Sequence, residues 1–282
     1  MNDASPAAKA RRRFEEIAAL PDAAIDLAEA ALWIAAEEYP SLDVDAYLSR
    51  LDALAAQAAP AVRSAEGDAQ RVARLNRFLF FEQGFRGNRN DYYDPRNSFL
   101  NEVLDRRIGI PIALSAVYLA VGRRLGLDVQ GISFPGHFLV KCAGAAGEIV
   151  VDPFERSVLD LDACQRRLEA GLGATERLRP EIHLRAASVR EILLRMLGNL
   201  KRIYVQRSDL GRALACCDRC LLLAPDAMGE LRDRALVYEG MACYAAAAAD
   251  IDRLLELAPD LAGADALRAH RDALRARRGA VH

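Results

Sequence analysis

The tetrapeptide Leu223-Ala224-Pro225-Asp226 returns as Leu257-Ala258-Pro259-Asp260, offset by 34 residues. A chain that repeats on such a period stacks equal helical units, each burying its apolar face against the next. Counting back from each Pro, other packing positions fall into place. The first unit presents Leu197, Leu200, Tyr204, Ala213 and Cys217, and the second presents Leu231, Tyr238, Ala247 and Ile251 at matching offsets. The small residue at Ala213 and Ala247 lets two helices approach closely. Arg234 stands where Leu200 stands, so the second unit is degenerate. A last helix over about 263–277 caps the stack. With only about two units, the array is expected to lean on the rest of the chain, since roughly three are needed for independent stability.

Thirty-four residues is the period of the tetratricopeptide helix-turn-helix unit, which places repeats at about 194–227 and 228–261. The 282 residues allow one large domain or two ordinary ones, and the pattern divides them into 1–185 and 186–282. Hydrophobic residues at 52% and charged residues at 28% give the composition of a soluble globular protein. Lys+Arg 38 against Asp+Glu 40 argues against nucleic acid as a partner, because phosphate neutralisation needs a basic surplus. No apolar run approaches the roughly 18 residues of a membrane span. Arg11, Arg12 and Arg13 lead into Glu15 and Glu16, not into the apolar run of a secretory signal. A cytoplasmic location is expected, with no membrane partner.

The cysteines agree with that compartment. The six lack paired CxxC units, and Cys216, Cys217 and Cys220 fall within five residues on a helical pattern. Cys217 and Cys220 occupy packing positions of the repeat, where small apolar groups are wanted. Cys164 and Cys243 are expected to be packed as well. No His stands near the repeat cysteines to complete a zinc site, so neither metal nor cofactor is expected.

The first 80 residues read as helices: one carrying Ile25, Leu27, Leu32 and Trp33, one over about 44–58, one over about 68–82. Residues 88–101 form a polar aromatic loop rich in turn formers. Pro111 opens a strong helix that Gly126 stops. Three short apolar runs follow, Val129–Phe134, His137–Cys142 and Glu148–Asp152, and read as an antiparallel sheet packed on that helix.

One constellation bears chemistry: Gly109-Ile110-Pro111 at a helix start, Gly136-His137 at a strand start, and Asp152-Pro153 at the end of the next strand. A carboxylate on the neighbouring strand fixes a His tautomer and stabilises its charged form, as in nucleophile–His–Asp triads. This order of helix start, Gly126-Leu127, His137 and Asp152-Pro153 resembles the transglutaminase-like (papain-related) core. More closely, DYYDPRNSFLNEVLDRRIGIPIALSAVYLAVGRRLGL, then FPGHFLVK, then VDPF resemble the bacterial SirB-type regulators, which join such a core to C-terminal tetratricopeptide repeats. The resemblance spans most of residues 70–260 and implies an α+β fold: a helical N-terminal segment, a small helix-plus-antiparallel-sheet core, and an all-α repeat domain.

The family pattern puts a catalytic Cys on or near Pro111, yet no Cys precedes Cys142. His137 and Asp152 match the family's dyad without its thiol. Ser115, one turn beyond Pro111, is a substitute nucleophile by position; otherwise it is a helix-interior hydroxyl bonded to a backbone carbonyl. Cys142 points to the opposite face of its strand. His183, His270 and His282 read as surface residues. In the polar loop, Asn90, Asp91, Tyr92, Asp94 and Asn97 either line a binding pocket beside His137 or form a turn fixed by Asx side chains; the D-x-D-x-D-G calcium pattern is absent.

Two functions follow as expectations. The first is a non-catalytic scaffold or regulator that holds a protein partner on its repeats, with Arg207 and Arg212 as groove charges. The alternative is a hydrolase or amide-processing enzyme using His137 and Asp152 with Ser115, a water or a metal.

Overall fold

The computed structural model describes residues 5–144 and 147–278; His282 lies outside them. The chain divides into two compact units, Met1–Met196 and Leu197–His282.

The first unit begins with α1 (Pro6–Ala18), α2 (Leu27–Glu38), α3 (Val44–Arg63) and α4 (Asp68–Asn76), which runs into a π-helical turn, Arg77–Glu82. Side chains of Ser5, Asp26 and Asp43 cap the first three by accepting from early helix N–H groups. Helix α1 lies within the stretch that reads as helical, ahead of the three helices assigned bounds or apolar positions there. It docks Ala10, Phe14, Ile17 and Ala18 against α2 and leaves its arginines outside.

Next come the two-residue strand β1 (Arg86–Gly87), α5 (Leu100–Arg106), β2 (Ile108–Gly109) and α6 (Pro111–Arg124). β1 and β2 pair in parallel. Every residue from Pro111 to Gly122 is buried, so α6 is wrapped on all sides, as a helix apolar all round must be. Helices α2, α3 and α5 cover part of it, and β3 (Val129–Ile132) and β4 (Leu139–Cys142) cover the rest.

The sheet has four strands where the pattern suggested three. β5 (Ile149–Asp152) pairs with β4, and the unforeseen β6 (Ser157–Leu159) pairs with β5, giving an antiparallel order β3-β4-β5-β6. β6 was hidden because its exposed Val158 and half-buried neighbours carry no apolar run. β3 ends at Ile132, short of Phe134, because the chain turns at Pro135-Gly136. His137 therefore sits in that turn, two residues before β4 begins. Gly136 holds φ at 66°, the left-handed value such turns demand.

After α7 (Leu161–Leu172) and the single turn α8 (Pro180–His183), the helices are α9 (Val189–Gln206), α10 (Leu210–Leu223), α11 (Met228–Gly240), α12 (Tyr244–Leu257) and α13 (Ala264–Arg278). In the second unit α11 packs on α10 and α12, and α12 on α13. The chain is thus an α+β core followed by tetratricopeptide helices.

The degenerate repeat position has a physical explanation. Arg234 replaces Leu200, and 34 residues beyond buried Cys216 stands buried Asp250. Arg234 Nη2 and Nε lie 2.7 and 2.9 Å from the Asp250 oxygens, and Nη1 lies 2.9 Å from Asp218. Two buried positions that are Leu and Cys in one repeat have become an ion pair in the next. Cys142, Cys164, Cys216, Cys217 and Cys220 are buried, but Cys243 is exposed, contrary to expectation. It precedes α12 in the turn, outside the helix that would have packed it.

Candidate functional site

The sheet brings His137 and Asp152 together. His137 Nε2 lies 3.0 Å from Asp152 Oδ1. A carboxylate accepts only, so Nε2 carries the proton and donates it. Nδ1 has no hydrogen-bond partner among the described residues. Asp152 is fully buried at the end of β5, while the His137 side chain is 12% exposed. The same Asp152 oxygen accepts from the backbone N–H groups of Phe154 and Glu155, at 3.0 and 3.1 Å. The other oxygen faces Arg167 Nη2 of α7 at 2.7 Å. Burial opposes the charged carboxylate. The His137 hydrogen bond, the His137 and Arg167 charges and the Glu155 N–H outweigh it and hold the Asp152 carboxyl below its usual range.

A second arginine fixes the His137 turn. Arg195 of α9 donates to Ser133 Oγ at 2.8 Å, Phe134 O at 3.0 Å and His137 O at 2.6 Å. Beside the imidazole stands Phe154, edge to face at 6.0 Å between centroids, and Tyr92 continues the aromatic wall at 6.1 Å from Phe154. Gly87 makes room for that wall: a Cβ there would meet the Phe154 ring at 2.6 Å.

Pro111 heads α6 with no thiol, and Ser115 is fully buried within it. The Ser115 hydroxyl has no hydrogen-bond partner among the described residues, so it bonds neither His137 nor the backbone carbonyl expected of a helix-interior Ser. Cys142 is buried against Tyr118, and burial, opposed by the Tyr118 contact, raises its thiol to about 11. That is the opposite of what a nucleophilic thiol needs.

The polar loop is built as a turn. Asn97 is fully buried; its Nδ2 donates to Asp91 O at 2.6 Å and its Oδ1 accepts from Asn88 Nδ2 at 3.1 Å. Asp94 accepts from the Arg96 backbone N–H at 3.0 Å and pairs with the Arg96 guanidinium at 2.7 Å. Asn90 and Asp91 face solvent, and Asp91 N–H donates to Asn88. Tyr92 alone of the group reaches toward the dyad, through Phe154. His183 accepts from Arg179 N–H near the surface, and exposed His270 pairs with Glu239.

Arg167, Arg195 and Phe154 were not among the residues singled out from sequence. The two arginines come from helices 15 and 43 residues beyond Asp152, and nothing local marks either one. Phe154 lies in the VDPF stretch that carries the family resemblance, but its ring bears no reacting group to mark it.

The fold and dyad define a transglutaminase-like core joined to helical repeats. A family model described as Transglutaminase-like superfamily matches residues 45–198, and one described as Tetratricopeptide repeat matches 200–272. A UPF0162 protein of Xylella fastidiosa is 37% identical over 261 residues, covering 91% of this chain and 92% of that protein. A UPF0162 protein of Vibrio cholerae is 31% identical over 253 residues, covering 89% and 93%. F-box only protein 21 of Mus musculus is 37% identical over 141 residues, covering 48% of this chain and 22% of that protein. No solved structure matches the chain. The chain belongs to the UPF0162 group of the transglutaminase-like superfamily. Among the described residues no helix is long and apolar enough to cross a membrane, and a core joined to tetratricopeptide repeats fits a protein-interaction scaffold.

Proposed function

We propose that the protein is a non-catalytic scaffold or regulator of the SirB type, working in the cytoplasm: the repeats hold a protein partner, and the His137–Asp152 pair braces the core. One observation carries this reading. The dyad survives without a nucleophile, because Pro111 heads the helix, no Cys precedes Cys142, and the buried Ser115 hydroxyl makes no bond to His137. A nucleophile must lie within hydrogen-bond reach of its base. Asp152 meanwhile spends its oxygens on two backbone N–H groups and Arg167, the work of a structural joint.

The test is turnover. Purified protein and its His137→Ala variant are incubated with glutamine-containing peptides plus a primary amine, and with peptide amides and esters. Equal, background rates are expected. A rate in the wild type that vanishes in His137→Ala would overturn the proposal in favour of the hydrolase or amide-processing alternative.

A further inference from the structure

In the repeat unit almost every cation is already matched. Arg234 is held by Asp218 and Asp250, Arg253 by Asp226 and Glu256, Arg271 and Arg275 by Asp252, and Arg268 by Asp265. Arg212, expected to face a partner, instead pairs with Asp209 at 2.7 Å and lies over the Tyr204 ring. Arg207 also has a contact within the chain. Arg202 and Arg232 differ. Both are exposed, and neither makes an ion pair or hydrogen bond with any described residue.

These two arginines share a face with exposed apolar groups. Arg232 and Leu236 are one turn apart on α11, and Arg202 and Val205 are three residues apart on α9. The 34-residue period makes Arg202 and Leu236 equivalent positions, so they look out of the same side of the stack. Lys201 holds the two helices together: Nζ is 2.7 Å from Glu230 and 2.6 Å from Asp233. Leu236 is 59% exposed and Val205 47%. The equivalent of Arg232 in the first repeat is Gly198, where an added Cβ would meet nothing within 4 Å. Glu239 on the same stretch already has partners, His270 Nε2 at 2.9 Å and the Arg277 guanidinium at 3.7 Å. The result is an exposed face with two uncompensated positive charges beside the apolar side chains of Val205 and Leu236.

We infer that this face is the partner surface, and that its partner is a protein segment presenting two acidic side chains around an apolar one. The inference rests on the scaffold reading and gives that scaffold a ligand chemistry. Carboxylates complement the arginines, which bind them in a planar fork. An apolar side chain covers Leu236 and Val205, and complementary charge speeds encounter and selects against basic segments.

The test is a random 16-residue peptide library displayed on phage and panned against the full chain. Enriched sequences are then synthesised and titrated by fluorescence anisotropy at low and high salt. The variants are Arg202→Glu/Arg232→Glu, Leu236→Ser, and Arg74→Glu as an exposed control in the other unit. Circular dichroism confirms that each is folded. Enriched peptides should be acidic with an apolar residue between the charges. Their affinity should fall about tenfold or more in the double charge reversal and with added salt, fall in Leu236→Ser, and hold in the control. Enrichment of neutral or basic peptides, or acidic peptides indifferent to Arg202 and Arg232, overturns this inference and leaves the scaffold reading standing. No enrichment of any peptide overturns both.

Discussion

Replacing Asp152 with Ala removes the acceptor of two backbone N–H groups and the His137 Nε2–H, and the counter-charge of Arg167. Each buried donor left without an acceptor costs about 1–3 kcal/mol, and breaking a buried ion pair by deleting one partner costs about 3–5 kcal/mol. These do not add, since Arg167 and the His137 edge can turn to water. A loss of about 3–5 kcal/mol is expected for Asp152→Ala. His137→Ala should cost about 1–2 kcal/mol, because Asp152 keeps its backbone donors and Arg167. Asp152→Asn should fall between, keeping an acceptor but not the charge. The chain holds a single Trp, Trp33 of α2 in the first unit, so its fluorescence during urea unfolding follows the unit that contains the dyad. Linear extrapolation with an unchanged slope then gives each difference. If Asp152→Ala costs under about 1 kcal/mol, or no more than His137→Ala, the pair is no brace, and its retention needs another explanation.

Acid sensitivity follows from the same carboxylate. Its folded-state pKa lies below the ordinary 3.8, so its contribution is complete above that value and is lost as pH falls through the lower, folded one; acid titration of Trp33 fluorescence should show a limb there that Asp152→Asn flattens. In the repeats, Arg234→Leu alone strands buried Asp250 and should cost about 2–4 kcal/mol, whereas Arg234→Leu/Asp250→Cys restores the residues of the first repeat and should lie within about 1 kcal/mol of wild type. Urea transitions followed by circular dichroism would refute this if the double variant were no better than the single. With a thiol reagent under native conditions, one cysteine, Cys243, should react fast. The other five should wait for denaturant, since they are buried and burial raises Cys217, for example, to about 12; a second fast thiol would contradict the packing.

The sequence by itself determined the repeat, the core helix and the dyad. A 34-residue period and a Pro-led apolar helix are local patterns, and local patterns are what backbone geometry and side-chain spacing write into a chain. His137 and Asp152 were legible because consecutive antiparallel strands bring nearby residues side by side. Tertiary structure decided what those residues are for. Arg167 and Arg195 reach the site from helices outside the sheet, and no strand register or spacing rule ties them to it. The polar loop carried enough oxygen to suggest a binding site, but burial turned Asn97 inward, where its amide had to satisfy backbone groups of the loop. The choice of Arg202 and Arg232 over Arg207 and Arg212 is of the same kind. All four are arginines on or beside the successive helices α9, α10 and α11, and only the packed structure shows which of them its own aspartates and rings have already claimed.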